Sequence, residues 1–515
     1  MPDMSQVQPV AFNCEGGLVL NRSTFMMQAG EALELQNFEP DIEGGYRRIN
    51  GYSKYVSAIV PSTSSSSEKV LMVATVGDSV LAARGTKIYS ATAGGSSWTL
   101  QDTRSSTPSK YRFERFNFEN SDKLILVDGV NYPSVFTVSD LSHVDVSTAS
   151  VEGSKFVAAF KNHMFYAGKS STPQTIVYSS GGNEDDFGTS GSLPSGSINV
   201  DDTITGLKVF RDNLFIFCQN RIFKLSGSSG GGSGDFAITP VTRNIGCING
   251  DTIQEFAGDL IFLGPDGLRT VAGTARIGDV ELGTISANVQ SIFDDNLASA
   301  SEFDSLVIPD KTQYRIFFTK SSTGQNITKG VMCVMKGQKF EFAEIRGIKP
   351  ACTDSFVKSG DVIVLHGDYA NGYVYRQESG NDFDGTAIMA KYRSPDLTFN
   401  DAGIRKHMQR VVVNYAPEST IDADLFLRYD YESAESARPA AYALDSGDVA
   451  AIYGTSTYGT SSSSLGTYGG ASQPLVRQAV EGSGFAVALR VNDGGTTAPY
   501  SLKGFQLEYQ VGARR

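Results

Sequence analysis

The chain has 515 residues and a formal net charge of −12 at pH 7, and 19% of its residues are charged. This acidic balance argues against a general DNA-binding surface, and the length exceeds one ordinary core, so we expect two or three domains. The 54 glycines and the 10% aromatic content are typical of an all-β protein with many turns.

Residues 1–55 are predicted to form an extended N-terminal assembly segment ahead of a repeated region. The opening residues show no basic stretch followed by an apolar one, so no secretion signal is expected. A serine-rich run at residues 62–67 separates this segment from the first repeat or forms a loop tip within it.

A hairpin-sized pattern recurs seven times between Leu71 and Arg376. Each copy has a short apolar run, a turn that is rich in Gly, Asn or Asp, and a second run that ends in a bulky residue. These turn residues are favoured because hairpin turns need positive φ. The first runs are centred on Val80, Leu124, Met164, Leu214, Leu260, Ile316 and Ile363.

Successive centres lie about 47 residues apart on average, within the ~40–50 residue period of propeller blades. One hairpin is marginal in water, whereas many hairpins stacked around an axis bury both faces of each small sheet. The sequence therefore predicts an all-β fold with a β-propeller of about seven blades at residues 56–392. The spacing stretches around Ile316 and Val331, so six or eight blades stay open, as does an irregular array of β-sandwiches.

Residues 284–297 break the β pattern and predict a short helix between blades, which either packs beneath the propeller or binds a partner. A glycine-rich tract at residues 226–234 is expected to be an exposed connection. The apolar residues at helical spacing are Ile285, Val289, Ile292, Phe293 and Leu297.

Residues 393–515 are predicted to form a C-terminal β-sandwich-like domain, because the strands there are longer and alternate clearly between apolar and polar residues. A tract of Tyr, Gly, Ser and Thr at residues 453–470 either orders against a neighbouring subunit or remains a mobile loop. The predicted strands are residues 410–415, 424–430, 485–491 and 502–509.

The five cysteines are odd in number and widely spaced, which favours free buried thiols in a reducing cytoplasm over a disulfide framework or a zinc site. No apolar stretch approaches the ~18–20 residues that a membrane-spanning helix needs. The cysteines are Cys14, Cys218, Cys247, Cys333 and Cys352.

The sequence offers few candidate chemical sites. The histidines are isolated, and no metal-binding, phosphate-loop, dinucleotide or nucleophile-elbow motif occurs. Paired acids are what glycoside hydrolysis requires, but adjacent acids on loops are usually solvated. The histidines are His143, His163, His366 and His407, and the acid pairs lie in Glu184-Asp185-Asp186, Asp201-Asp202 and Asp294-Asp295.

Tight basic clusters occur only at Arg47-Arg48, Arg405-Lys406 and Arg514-Arg515. We interpret them as solvated surface or inter-subunit ion pairs, with phosphate contact as the alternative. No catalytic, cofactor-binding or metal-binding residue is therefore predicted, and the chain is predicted not to be an enzyme.

Three stretches of the chain together resemble a known family. The sequence there is similar to the tail nozzle, tail hub and DNA-stabilisation proteins of short-tailed bacteriophages, and the resemblance spans the chain. The stretches are Glu15-Gly-Gly-Leu18 with Gly30-Glu-Ala-Leu-Glu-Leu-Gln-Asn-Phe38 and Gly45-Tyr-Arg-Arg-Ile-Asn-Gly-Tyr52, residues 245–286, and residues 500–515.

The resemblance implies a structural protein of the virion tail that is assembled in the bacterial host cytoplasm. In this family a homo-oligomeric, hexameric ring lies below the head–tail adaptor protein, and tail fibres or spikes attach nearby. The ring closes the DNA channel before infection and lets the viral double-stranded DNA pass during ejection. An acidic channel wall would let DNA slide, since it repels phosphates.

Two alternatives stay open. Within the same class, the chain could be a head–tail stopper or a fibre-attachment protein. From another class, it could be a propeller that binds or hydrolyses glycans and recognises the host surface. Acids and aromatic residues that converge in one pocket would favour the glycan protein, whereas a closed oligomer with a DNA-wide channel would favour the nozzle.

Overall fold

The computed structural model describes residues 7–61, 69–189, 193–227, 236–271, 284–322, 325–337, 339–418, 421–436, 438–445 and 475–514. The serine-rich run at 62–67 and the tract at 453–470 lie outside these residues, as do Arg515 and most of the glycine-rich tract at 226–234.

Strands make up most of the described chain. In chain order they are β1 (Gln8–Asn13), β2 (Glu34–Gln36), β3 (Phe38–Pro40), β4 (Tyr46–Arg48), β5 (Tyr52–Lys54), β6 (Met72–Val76), β7 (Ser79–Arg84), β8 (Lys87–Thr92), β9 (Thr99–Thr103), β10 (Arg112–Phe118), β11 (Ser121–Val127), β12 (Ser134–Thr137), β13 (His143–Asp145), β14 (Phe156–Phe160), β15 (His163–Ala167), β16 (Thr175–Tyr178), β17 (Gly196–Asn199), β18 (Ile204–Phe210), β19 (Asn213–Cys218), β20 (Ile222–Ser226), β21 (Ala237–Thr242), β22 (Gln254–Phe256), β23 (Asp259–Gly264), β24 (Gly267–Thr270), β25 (Glu302–Ile308), β26 (Gln313–Ser322), β27 (Gln325–Lys336), β28 (Lys339–Ile345), β29 (Pro350–Lys358), β30 (Asp361–Asp368), β31 (Val374–Gln377), β32 (Ala390–Arg393), β33 (Ile404–Pro417), β34 (Asp422–Tyr429), β35 (Tyr442–Asp445), β36 (Leu475–Ala479), β37 (Ser483–Gly484), β38 (Val487–Asp493) and β39 (Tyr500–Arg514).

Helical structure is sparse in the residues that the structure describes. Helix α1 (Gln290–Leu297) follows a 3-10 turn at Ala287–Val289. Further 3-10 turns lie at Thr24–Met26, Gly250–Thr252, Pro309–Lys311 and Asp430–Glu432.

Six small antiparallel sheets form propeller blades. Four are consecutive four-stranded meanders (β6–β9, β10–β13, β14–β17 and β18–β21), a fifth is β22–β24, and the last combines β29–β31 with β5. In four of these six sheets, beginning with β10, β14, β18 and β22, the first turn has two successive residues with positive φ, which matches the twist of a tight hairpin. These turn residues are Glu119-Asn120, Lys161-Asn162, Arg211-Asp212 and Ala257-Gly258.

The seven predicted centres all lie on the second strand of a unit, so the repeat and its register are confirmed. They fall on β7, β11, β15, β19, β23, β26 and β30. The stretched unit is the β25–β28 meander, whose strands β26 and β27 have 10 and 12 residues. This meander lies between β22–β24 and the last blade in the chain and belongs to a larger sheet. The structure therefore shows six separate blades, which is one of the counts that the sequence left open, and the seventh predicted unit is part of the larger sheet.

The larger sheet joins the propeller to a second part of the molecule, which is built from β1–β4 and β32–β39. Its nine strands are ordered β25-β26-β27-β28-β2-β32-β38-β34-β35. A seven-stranded sheet contains β3-β4-β39-β33-β36, with β1 on β39 and β37 on β33. Strands from all three predicted segments, 1–55, 56–392 and 393–515, therefore share sheets.

The predicted C-terminal strands are present as parts of β33, β34, β38 and β39, with 424–430 running one residue past β34 and 485–491 beginning two residues before β38. A separate C-terminal β-sandwich-like domain is not confirmed, because β34 and β38 continue the sheet of the propeller meander while β33 and β39 pair with N-terminal strands. One core of buried side chains spans both large sheets. Within it the Tyr392 ring stacks on Phe505 at 5.7 Å and lies 5.5 Å from Tyr46.

Helix α1 confirms the prediction of a short helix between blades. Its residues Ile292 and Phe293 are buried, and the Phe293 ring meets Phe318 of β26 edge-on at 5.5 Å. The observed contacts favour packing as the role of this helix. All five cysteines are likewise buried and free, as the sequence predicted.

Candidate functional site in the axial cavity

The innermost strands of the propeller surround a cavity of about 740 Å³ on the axis. Residues of all seven units line it, from β6, β10, β14, β18, β22, β25 and β29 and the turn at Gly250–Thr252. A smaller cavity of about 310 Å³ shares Arg112, Phe156 and Gly250 with it. Nine acidic or basic side chains line the larger cavity: Lys110, Arg112, Glu114, Arg115, Lys208, Asp251, Glu255, Asp304 and Asp354.

Asp251 is the centre of the first charge cluster. It lies in the 3-10 turn before β22, where the Asn249 side chain accepts a hydrogen bond from its backbone N–H at 2.8 Å. Arg112 of β10 donates two hydrogen bonds to its carboxylate, Nε to Oδ1 at 2.6 Å and Nη2 to Oδ2 at 2.9 Å. Such bidentate contact fixes the geometry of both groups.

Lys110 connects this cluster to a third unit. Its Nζ lies 3.2 Å from Asp251 Oδ2 and 2.5 Å from Asp304 Oδ1 of β25. Lys110, which lies just before β10, therefore connects two carboxylates that belong to two other units.

A second cluster links β6, β10 and β29. Arg115 Nη2 donates to Asp354 Oδ2 at 2.7 Å, and the same oxygen accepts from the Thr75 backbone N–H at 2.7 Å. The guanidinium also donates to the Thr75 carbonyl and lies over the rings of Phe113 and Phe356. The charges of the cavity thus connect units that are distant in the chain.

The pKa values of the cavity acids move in opposite directions. Burial alone would raise the pKa of Asp251, but the charges of Arg112 and Lys110 outweigh it and lower the pKa to about 2. For Asp304, burial dominates over the single lysine and raises the pKa. Burial also raises the pKa of Glu114, against a smaller effect of Lys208.

This arrangement can hold the blades in a fixed relation, because each pair joins groups on different inner strands. It also brings acids beside the aromatic residues Phe113, Phe156 and Phe256, which line the same cavity. A pair of carboxylates whose pKa values are moved apart is an arrangement that acid–base chemistry can use.

The acids that the sequence singled out do not line this cavity. Glu184 is buried and forms an ion pair with Lys123, whose Nζ lies 2.5 Å from its carboxylate. Asp201 forms an ion pair with Arg221, and the Asp294 carboxylate accepts a hydrogen bond from the Gln290 side chain at 2.9 Å. Each therefore has a local partner. Among the described residues, no group of three or more His, Cys, Asp or Glu side chains is placed to hold a metal ion.

The interpretation of Arg47-Arg48 as solvated surface or inter-subunit ion pairs is wrong for Arg48. Its side chain is fully buried, lies 3.2 Å from Asp493 Oδ2 and donates to the carbonyl of Thr497. Lys406 is also buried and donates to the Phe485 carbonyl at 2.9 Å. These cations satisfy acceptors inside the protein, which a dipeptide pattern does not reveal.

Sequence reasoning missed Lys110, Arg112, Asp251 and Asp304. One signal was available: charged residues alternate in Lys110-Tyr-Arg-Phe-Glu, at the start of the first strand of a blade, where an apolar pattern is expected. Such alternation indicates a strand with one polar face. The partners lie more than a hundred residues away, so only the fold brings them together.

No protein-family model matches the sequence, and no curated protein matches it. Solved structures that resemble the fold include the computationally designed Ika8 protein, with a TM-score of 0.35 and 9% identity over 63% of this chain and 99% of that one. An ancestral GH74 enzyme has a TM-score of 0.38 and 12% identity over 70% of this chain and 53% of its own. For PorZ of Porphyromonas gingivalis the TM-score is 0.36, at 10% identity over 67% and 42%.

No helix in the described part of the chain is both long and apolar enough to cross a membrane.

Proposed function

We propose that this chain is a non-enzymatic structural subunit of the tail nozzle or hub of a short-tailed bacteriophage. On this proposal it forms a hexameric ring that contacts the head–tail adaptor protein and the tail fibres or spikes. The ring closes the DNA channel before infection and opens it for ejection, and the protein resides in the virion tail after assembly in the host cytoplasm. The resemblance of the three sequence stretches supports this family.

The observation that carries the proposal is the nine-stranded sheet. It runs from the propeller meander β25–β28 through β2 and β32 to β34 and β38, so hydrogen bonds connect the propeller to the second part without a linker. A channel subunit under the pressure of packaged DNA needs such continuity, because a flexible joint would let the parts move independently.

The axial ion pairs also support a structural role. Asp251, Asp304 and Asp354 each bind a cation from the region of β10, so these contacts hold inner strands of different units together. On this proposal the DNA passes through the opening between subunits and not along the propeller axis. The net charge of −12 per chain suits an opening that does not hold phosphates.

Single-particle imaging of the purified protein, together with its mass in solution, tests the proposal. The expected result is a closed ring of identical subunits around a channel wide enough for double-stranded DNA. A stable monomer at concentrations well above those in an infected cell would contradict it. Pull-down of fibre or stopper proteins from phage-infected cells would distinguish a nozzle from a head–tail stopper or fibre-attachment protein.

A second candidate function is binding or hydrolysis of glycans. The observation that favours it is the convergence of Asp251, Asp304 and three phenylalanines in one cavity. Polysaccharide hydrolysis that is lost in Asp304→Asn and kept in Asp185→Asn, which alters an exposed acid, would favour this function. Under the nozzle proposal neither the protein nor its variants hydrolyse polysaccharide.

A further inference from the structure

One short segment closes the propeller. We name residues 52–60 the closing segment, because it joins the last blade to the first. On one side Tyr55 N–H donates to the Val374 carbonyl at 2.9 Å and Val60 N–H donates to the Gly372 carbonyl at 3.0 Å. On the other side Gly94 N–H donates to the Tyr55 carbonyl, and Ser57 N–H donates to the Gly95 carbonyl.

A fully buried histidine packs against this segment. His366 lies on β30, and its ring meets Tyr52 of β5 edge-on at 5.1 Å and stacks on Tyr375 of β31 at 5.2 Å. Neither of its ring nitrogens has a hydrogen-bond partner. His163, another buried histidine, differs in this respect, since its Nδ1 lies 2.6 Å from the Ser179 carbonyl oxygen.

The surroundings of His366 favour the neutral imidazole. Protonation would place a charge and a second N–H donor in a site that offers no acceptor, and burial accordingly lowers the pKa of His366 to about 3. The tyrosine rings offer only hydrophobic and aromatic contact there. The ionisable side chains on the surrounding strands are Tyr52 and Lys54 on β5, Cys352, Asp354 and Lys358 on β29, Asp361 and Asp368 on β30, and Tyr375 and Arg376 on β31. The flanking loops add Lys349 and Asp384.

We propose that His366 makes the propeller closure acid-sensitive: protonation of its imidazole releases the closing segment and separates the last blade from the first. The proton comes from solvent when the segment opens, and both ring nitrogens then become solvated donors. This inference concerns the single chain and does not depend on the proposed ring.

The direction of the pH dependence follows from the two states. An exposed histidine has a pKa near 6.5, so above that pH both the open and the closed states are neutral and closure is fully stable. Between roughly pH 6.5 and pH 3 the open state binds a proton that the closed state excludes. The open population should therefore rise about tenfold for each pH unit in this window.

The molecule contains its own reporter. Trp98 is the only tryptophan of the chain, and its indole N–H donates to the Ala58 carbonyl of the closing segment at 2.9 Å. Opening would break this bond and expose the indole to water. The emission of Trp98 should therefore shift to longer wavelength as the pH falls below about 6.

Hydrogen exchange of backbone amides tests the proposal at residue level. After correction for the intrinsic pH dependence, the Tyr55 and Val60 amides of the wild type should lose protection about fivefold from roughly pH 6.5 to 5.5. The Tyr111 and Lys155 amides, which bond to Leu71 at the junction of the first two blades and to Ala167 in the third, should keep theirs. In His366→Phe, which keeps an aromatic ring without a proton site, the Tyr55 and Val60 amides should show no such loss.

His407→Gln is the matched control, because His407 is an exposed histidine on β33, and this variant should behave as the wild type does. The same acid sensitivity in His366→Phe as in the wild type would overturn the proposal. If His366→Phe does not fold, the wild type alone decides. Equal loss of protection at Tyr55 and Lys155 would then mean global unfolding and would refute an opening at the closure.

Discussion

At the scale of single residues, the charges most important for stability are buried, although the sequence pattern predicts that they lie on the surface. Arg48 and Asp493 are both fully buried and lie 3.2 Å apart, between β4 and β38. Burying two charges costs desolvation energy, and their mutual attraction offsets that cost. When one partner is removed, the other charge stays buried without this attraction. These buried pairs are therefore sensitive points of the structure.

Arg48→Ala should lower the free energy of unfolding by about 3–5 kcal/mol, because Asp493 would remain buried without its cation. Urea denaturation measures this loss. Lys161→Ala is the control, since Lys161 pairs with Asp212, whose side chain is 89% exposed, and it should cost less than about 1 kcal/mol. Equal costs for both variants would contradict the prediction.

Asp251→Asn should remove the part of the pH dependence of the free energy of unfolding that comes from the Asp251 carboxyl. The folded protein lowers the pKa of Asp251 to about 2 from 3.8, so the stabilisation is present above pH 3.8 and is lost as the pH falls through 2. It amounts to roughly 2 kcal/mol at neutral pH. Urea denaturation over this pH range should show the gap between wild type and variant closing at low pH, and a gap that stays constant would refute the assignment.

At the scale of elements, local patterns predict where strands lie but not which strands they pair with. The apolar runs and their Gly, Asn and Asp turns place all seven centres on the correct strand of each unit. In contrast, Leu35 of β2 pairs with Tyr392 and Gln36 pairs with Glu344. The local sequence pattern predicts neither pairing, because strand pairing depends on packing across the whole core.

Helix α1 was predictable because its apolar residues recur at helical spacing, and its packing can be tested. Phe293→Ala should lower the free energy of unfolding by about 3–5 kcal/mol, since it removes a buried ring that contacts Phe318. Ser291→Ala, on the exposed side of the helix, should have little effect. Thermal unfolding compares them. A small effect of Phe293→Ala would instead favour the partner-binding role.

The candidate site was largely hidden from the sequence. The axial ion pairs combine Lys110 and Arg112 with Asp251, and Arg115 with Asp354, across separations of 139 to 239 residues. Only the order of the blades brings them to one axis. Charged residues in an inner strand were the single clue. Of the acids that formed an obvious pattern, Glu184, Asp201 and Asp294 make local contacts elsewhere.

At the scale of the whole molecule, the beginning of the chain is part of its interior. β2 lies within the nine-stranded sheet, β4 and β1 pair with β39, and β5 completes the last blade. The buried Glu39 binds Lys311 of the propeller meander at 2.6 Å and Arg47 at 3.0 Å. The two parts of the molecule are therefore held together by the N-terminal strands.

Deletion of residues 1–50 should abolish the cooperative unfolding of the molecule, although β5 and every blade strand remain. The loss of β1–β4 leaves the edges of β28, β32 and β39 unpaired and exposes part of the shared core. Circular dichroism and size-exclusion chromatography of the shortened and full-length chains measure this. A shortened chain that stays monomeric and melts at the same temperature would contradict the prediction.

The pairing of β1 with β39 has a consequence for how the protein is made. Gln8 opposes Tyr509, and their side chains are hydrogen-bonded across 501 residues of sequence. At roughly 5–20 residues per second, synthesis delivers the partner strand about 25 to 100 s after the first one emerges. The nascent chain must carry β1 unpaired for that interval, and β2 and β5 stay unpaired until β28 and β31 emerge, which exposes strand edges to other chains. We therefore expect folding to finish only after β39 has emerged from the ribosome, at a yield that depends on chaperones and on the rate of translation.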